Sequence, residues 1–141
     1  MASHYPEIYA QWKRDPESFW RGEAEKIHWF KKPDRIFNAE AGVYGHWFPD
    51  AETNTCYNCL DRHVIGGRGA DTAVIFDSPM TGDKRDYSFA EALSEVKAIA
   101  GALRGLGVGK GDRVIIYMPM IAEAVFTMLA CARLGAVHSV V

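Results

Sequence analysis

Cys56, Cys59 and His63 form a C-x2-C-x3-H run, the spacing of half a zinc site. On an α-helix the second and third positions fall about 300° and 340° round from the first, so all three share a face. Leu60 and Val64 share that face too, and no fourth ligand follows at local spacing. A metal site needs a complete donor set. The run therefore reads as two small core thiols and a partly buried histidine, with a small metal-binding protein built on Cys56, Cys59 and His63 as the lesser alternative. A redox dithiol does not fit, because the run does not follow a strand at a helix start.

Gly105, Gly107, Gly109 and Gly111 invite comparison with a phosphate-binding loop. Such loops follow a strand and open a helix, so that the helix N-terminus meets the phosphate. Here the order is reversed: the glycines follow a helical pattern and precede an apolar run. Lys110 is followed by Gly111 rather than Ser or Thr. The run reads as a helix stop and a tight turn. Met118-Pro119-Met120 lies where a parallel strand ends, the edge at which open α/β sheets bind ligands. His138 sits inside an apolar run and reads as a satisfied interior histidine. No Ser-His-Asp set and no suggestively spaced carboxylate pair stands out.

The elements that would position these residues follow from pattern. The 141 residues are enough for one ordinary core, and 48% hydrophobic with 24% charged is the balance of a globular domain. A net charge of -2 with no basic cluster argues against nucleic acid or an anionic membrane as partner. Three cysteines, few and odd in number, argue against a disulfide framework and for a reducing compartment. The opening Met-Ala-Ser-His-Tyr-Pro-Glu lacks the basic and apolar regions of a secretory signal. A cytosolic location is expected. From Val114 to Ala132 the chain is almost wholly apolar, but Pro119 splits it and Glu123 charges it. A buried strand and then a buried helix explain it better than a membrane span.

Residues 1–50 are rich in aromatics with irregular spacing. Ile8 and Trp12 place a helix over about Pro6 to Arg14. Asp15 caps a second helix with Pro16 at its first position, and Phe19 and Trp20 are expected to point inward. This region reads as an extension that wraps another surface. From residue 51 the pattern is regular. Thr53 is expected to cap a helix to about Ile65, stopped at Gly66-Gly67. Thr72 to Phe76 is a strand, residues 77–84 a turn, and Arg85 to Tyr87 a strand pairing back. Ser88 and Glu91 form a capping box for a helix whose stripe is Phe89, Leu93, Val96, Ala100 and Leu103. Arg113 to Met118 is a strand of the type buried on both faces. Ile121 to Leu134 is a helix with Glu123 and Thr127 on its one polar edge, and residues 136–141 form another strand. Strand, helix, strand is a βαβ unit, so the fold class is α/β with parallel strands. The terminal strand has no covering helix after it, so a piece of a longer chain is expected.

Several stretches resemble short-chain acyl-CoA synthetases of the adenylate-forming superfamily. They are Asn58-Cys59-Leu60-Asp61-Arg62-His63, then the run from Leu106 to Val114, then Tyr117 to Ala124 and Leu129 to Val141. Tyr9, Trp12 and Pro16-Glu17-Ser18-Phe19-Trp20 look like the extension preceding the main domain in acetyl- and propionyl-CoA synthetases. Met120-Ile121-Ala122-Glu123-Ala124 looks more like the propionyl- than the acetyl-CoA enzymes. The resemblance implies ATP with Mg2+, CoA and a small carboxylate, propionate or acetate, as reactants. It implies an acyl-adenylate formed first and CoA displacing AMP second. The family's phosphate-cradling Ser/Thr/Gly loop and its C-terminal lysine do not occur in this sequence, and its carboxylate pocket and CoA-binding arginines are expected beyond Val141. No catalytic, cofactor-binding or metal residue is therefore assigned to this stretch, which alone is expected to be inactive. A non-catalytic α/β binding or interaction module is the alternative reading, ahead of the small metal-binding protein.

Overall fold

The computed structural model describes residues 4–141. The chain divides into two compact units, the first ending at Thr53 and the second spanning Asn54–Val141.

In the first unit, helix α1 (Tyr5–Arg14) gives way at Asp15 to α2 (Pro16–Ala24). Asp15 is the hinge because its extended backbone stops one helix while its carboxylate accepts the Ser18 amide of the next at 3.1 Å. The Ser18 side chain first, and that amide second, hold the Asp15 carboxyl below its ordinary pKa. A short antiparallel ladder follows, β1 (Phe37–Asn38) on β2 (His46–Trp47). Its return requires Gly45, which has φ +70° and on which a Cβ would collide with the Phe37 ring. Asp50 accepts the amides of Asp34 and Arg35 at 3.0 and 3.3 Å, fixing the loop before the ladder. Among the described residues Ala24 and Ile36 are the buried apolar ones here, and α1 buries none. The rings pack on one another: Phe37 on Trp47 at 4.5 Å, Trp29 on Phe48 at 5.3 Å, Trp20 on Trp47 at 6.1 Å. Trp20 was expected inward but stays 38% exposed. A nine-residue helix with one ring neighbour on each side cannot enclose an indole.

The second unit opens on Asn54, not Thr53. The Asn54 side-chain oxygen accepts the Tyr57 amide at 3.1 Å, whereas the Thr53 hydroxyl donates to the His28 carbonyl. The helical segment that follows winds as π-helix over Tyr57–Asp61 and Val64–Arg68. Gly67, at φ +85°, breaks the helical backbone inside the second stretch, close to the expected stop, and the segment ends after Arg68. Antiparallel strands β3 (Thr72–Asp77) and β4 (Lys84–Ser88) form a hairpin. It leads straight into α3 (Phe89–Gly105) through the capping box. Ser88 Oγ accepts the Glu91 amide at 3.2 Å, and Glu91 accepts the Ser88 amide at 2.8 Å. At its other end, the Gly107 and Val108 amides donate back to Arg104 and Leu103, a Schellman stop that Gly107 permits with φ +91°.

Strand β5 (Arg113–Ile116), helix α4 (Ala122–Leu134) and strand β6 (Val137–Val140) make the βαβ unit. β5 and β6 pair parallel from Arg113 opposite Val137 to Ile116 opposite Val140. The fold class is α/β, as the sequence pattern indicates. Phe126 and Ala130 of α4, Leu93 and Val96 of α3, and Tyr87 of β4 meet in one core with Cys56 and Leu60. Tyr87 and Phe126 touch edge to face at 5.1 Å. Burying a ring the size of Phe126 contributes about 2–3 kcal/mol.

Two expectations fail here. β5 is not buried on both faces: Ile116 is enclosed but Ile115 is 73% exposed, because α4 packs one side of the two-stranded sheet. Thr127 is not on a polar edge. It is buried, and its hydroxyl is satisfied by donating to the Glu123 carbonyl at 2.7 Å. No helix among the described residues is long and apolar enough to cross a membrane.

Ser88→Ala should remove the hydroxyl half of the cap, leaving the residue-88 amide on Glu91, and lower stability by about 1 kcal/mol, read from the shift in a urea midpoint at unchanged m. Glu91, held below its ordinary pKa by the Ser88 amide, gives the same cap a pH dependence. Its contribution is present above the unfolded pKa of a glutamate and is lost as pH falls through the lower folded value. The stability difference between wild type and Glu91→Gln should therefore shrink toward low pH.

Candidate functional site

The Cys-His run is taken apart by its own backbone. In the π-wound segment the 100° spacing of an α-helix no longer applies. Cys56 is wholly enclosed, Cys59 is exposed, and the His63 ring packs on Phe89 at 4.8 Å. Among the described residues no group of three His, Cys, Asp or Glu could hold a metal ion. What Cys56 meets is Arg133, 77 residues away. Arg133 Nη1 lies 3.7 Å from Cys56 Sγ and donates to Asp61 Oδ2 at 2.7 Å. Burial pushes the Cys56 thiol pKa up, against a smaller opposing effect of the Arg133 hydrogen bond. The thiol is thus protonated and inert at neutral pH.

Asn54 completes this junction. Its amide nitrogen donates to the carbonyls of Ala132 and Arg133 at 2.9 and 3.3 Å, the free end of α4. One asparagine therefore caps the start of one helix and the end of another. Gly135 then turns the chain with φ +73°, its carbonyl accepting the Gly111 amide at 2.9 Å.

The glycine run is a turn, as read from the sequence. The Gly109 amide donates to Asp112 Oδ2 at 2.8 Å and the Gly111 amide to Gly135. Those two donors are used within the fold. At the carboxyl end of β5, Tyr117, Met118 and Pro119 line a cavity of about 340 Å3. Thr127 Oγ1 stands 4.0 Å from Met118 Sδ beside it. That lining holds a phenol and a thioether but no carboxylate, imidazole or amine. His138 is half-buried in β6 opposite Val114. The Asp61–Arg133 pair and the double use of Asn54 are what sequence reasoning missed. The one available signal was that both ends lie in stretches already singled out, Asn58 to His63 and Leu129 to Val141.

Residues 5–59 match the family described as acetyl-coenzyme A synthetase N-terminus, and residues 61–141 match the family described as AMP-binding enzyme. The chain belongs to the AMP-binding enzyme family. It is 43% identical over 139 residues to the human mitochondrial acyl-CoA synthetase short-chain family member 3, covering 99% of this chain and 20% of that protein. It is 45% identical over 143 residues to an acetyl-coenzyme A synthetase of Xanthobacter autotrophicus, covering 99% of this chain and 22% of that protein. An acetoacetyl-CoA synthetase structure from Streptomyces lividans superposes with a TM-score of 0.81 at 29% identity, over 93% of this chain and 20% of that one. The chain thus spans about a fifth of the length of these relatives.

The three thiols should separate cleanly in a labelling experiment. An aromatic disulfide reagent should modify Cys59 rapidly in the folded protein, while the buried Cys56 and Cys131 react only after denaturation. Fast native reaction at Cys56 would contradict the junction described above.

Proposed function

We propose that the protein carrying this chain is an AMP-forming short-chain acyl-CoA ligase whose preferred acid is propionate, with acetate the next best. The observation that carries the reading is the unbroken run of family likeness. The acetyl-CoA synthetase N-terminal description over residues 5–59 is followed at once by the AMP-binding description over residues 61–141. Support for propionate over acetate is narrower. It rests on Met120-Ile121-Ala122-Glu123-Ala124, which follows the cavity-lining Tyr117-Met118-Pro119 at the ligand edge of β5.

In this reading the carboxylate attacks the α-phosphorus of ATP bound with Mg2+, pyrophosphate leaves, and an acyl-adenylate forms. The CoA thiol then attacks the acyl carbon, AMP leaves, and the thioester is made. In-line displacement at phosphorus is governed by positioning and charge stabilisation. In this reading neither task is assigned to the residues of this chain. They hold the β5 edge in position, and the catalytic groups are assigned to the remainder of the ligase. The aromatic first fifty residues serve as its wrapping extension, and three free cysteines support a reducing, cytosolic location.

ATP–pyrophosphate exchange by the full-length gene product tests this. Exchange should be fastest with propionate, slower with acetate and slowest with butyrate, with AMP released only when CoA is added. Faster exchange with acetate would overturn the finer assignment. No exchange with any short acid would overturn the ligase itself. The 141-residue chain alone should give none.

A further inference from the structure

A second cavity, of about 400 Å3, lies between α3 and the end of α4, lined by Lys97, Ala100, Gly101, Arg104, Arg133 and Leu134. Three of the six lining residues are cations and none is acidic. Lys97 and Arg104 stand seven residues apart on one face of α3, about 10 Å along its axis. Among the described residues neither has an ion pair or a side-chain hydrogen bond. Arg133 uses Nη1 for Asp61, which orients the guanidinium, and its Nε and Nη2 donors remain. Carbonyls at the end of α4 would oppose an anion, but Asn54 takes those of Ala132 and Arg133.

Gly101 is the floor between the two α3 cations, four residues after Lys97 and three before Arg104. A glycine inside a helix weakens it. Here packing does not require one, since a Cβ at Gly101 would meet nothing within 4 Å. What the missing side chain does is keep the space between the cations open. Unpaired like charges, a fork already oriented, and a cleared floor are the parts of an anion site of ligand size.

We propose that this cleft binds a small phosphomonoester, its phosphate held by Lys97 and Arg104 with Arg133 behind, and its organic part on Ala100 and Leu134. The cleft borders the C-terminal end of α4, whereas the cavity of Tyr117, Met118 and Pro119 precedes that helix's N-terminus. It is therefore a site separate from the edge assigned to the reaction.

The test reads Lys97 directly, so it is decided whether or not ligase activity is observed. Lysines of the full-length protein are dimethylated with 13C-formaldehyde, which keeps their charge, and the Lys97 signal is assigned by its loss in Lys97→Arg. AMP and glycerol 2-phosphate are titrated separately, with sodium chloride at matched ionic strength as control. A saturable shift of the Lys97 signal is expected with either phosphate compound. A tighter response to AMP identifies a nucleotide, and an equal response identifies the phosphate alone as the recognised group. Arg104→Gln should weaken the response about tenfold, and Gly101→Leu should abolish it by filling the floor while leaving the helical circular dichroism intact. A shift that never saturates, that chloride reproduces, or that survives both substitutions would overturn the proposal.

Discussion

The second unit depends on how the C-terminal end of α4 is held. Three side chains of the segment Asn54 to Asp61 meet it: Asn54 on the carbonyls of Ala132 and Arg133, Asp61 on the guanidinium of Arg133, and Cys56 beneath. The Asp61–Arg133 pair is mostly shielded, its side chains 12% and 29% exposed. A pair in that setting is not a source of large net stability, because desolvation offsets the attraction. Its value is conditional. With one partner gone the other is left shielded and uncompensated, at a cost of about 3 kcal/mol. The junction therefore admits few alternative arrangements, which is how a short segment can set the position of a distant helix.

The consequences run outward from that point. α4 fixed at its end delivers Gly135 into its left-handed turn and β6 into parallel register with β5. Phe126 is brought against Tyr87 and the α3 stripe. The register in turn sets where β5 ends and where Tyr117, Met118 and Pro119 form their cavity. For the proposed reaction, which aligns a carboxylate, a phosphorus and a thiol, a rigid edge of this kind is what the flanking parts require. The likeness to acyl-CoA synthetases is thus a likeness of scaffold over this stretch.

Features legible in the sequence were those set by neighbours a few residues apart. The Ser88–Glu91 box, the Asp15 cap, the glycine stops at Gly67, Gly107 and Gly135, and the α3 stripe depend on local geometry that residue type encodes. What escaped were features set at long range. Asp61 and Arg133 are 72 residues apart, and no periodicity links them. The π-winding of Tyr57–Asp61 undid the angular argument for a shared Cys-His face. Ile115 and Trp20 are apolar and exposed, because burial depends on what packs against a residue and not on its type alone. The turn at the glycine run was readable because element order, which the apolar pattern reveals, puts it between a helix end and a strand start.

A double-mutant cycle on Asp61→Asn and Arg133→Met bears most directly on this account, with unfolding free energies of wild type, both single variants and the double variant measured in urea. Each single variant should be destabilised by about 3 kcal/mol and the double variant by clearly less than their sum, giving a coupling of about 2 kcal/mol. Effects that add to within about 0.5 kcal/mol would contradict the claim that this contact holds the end of α4 and with it the βαβ unit.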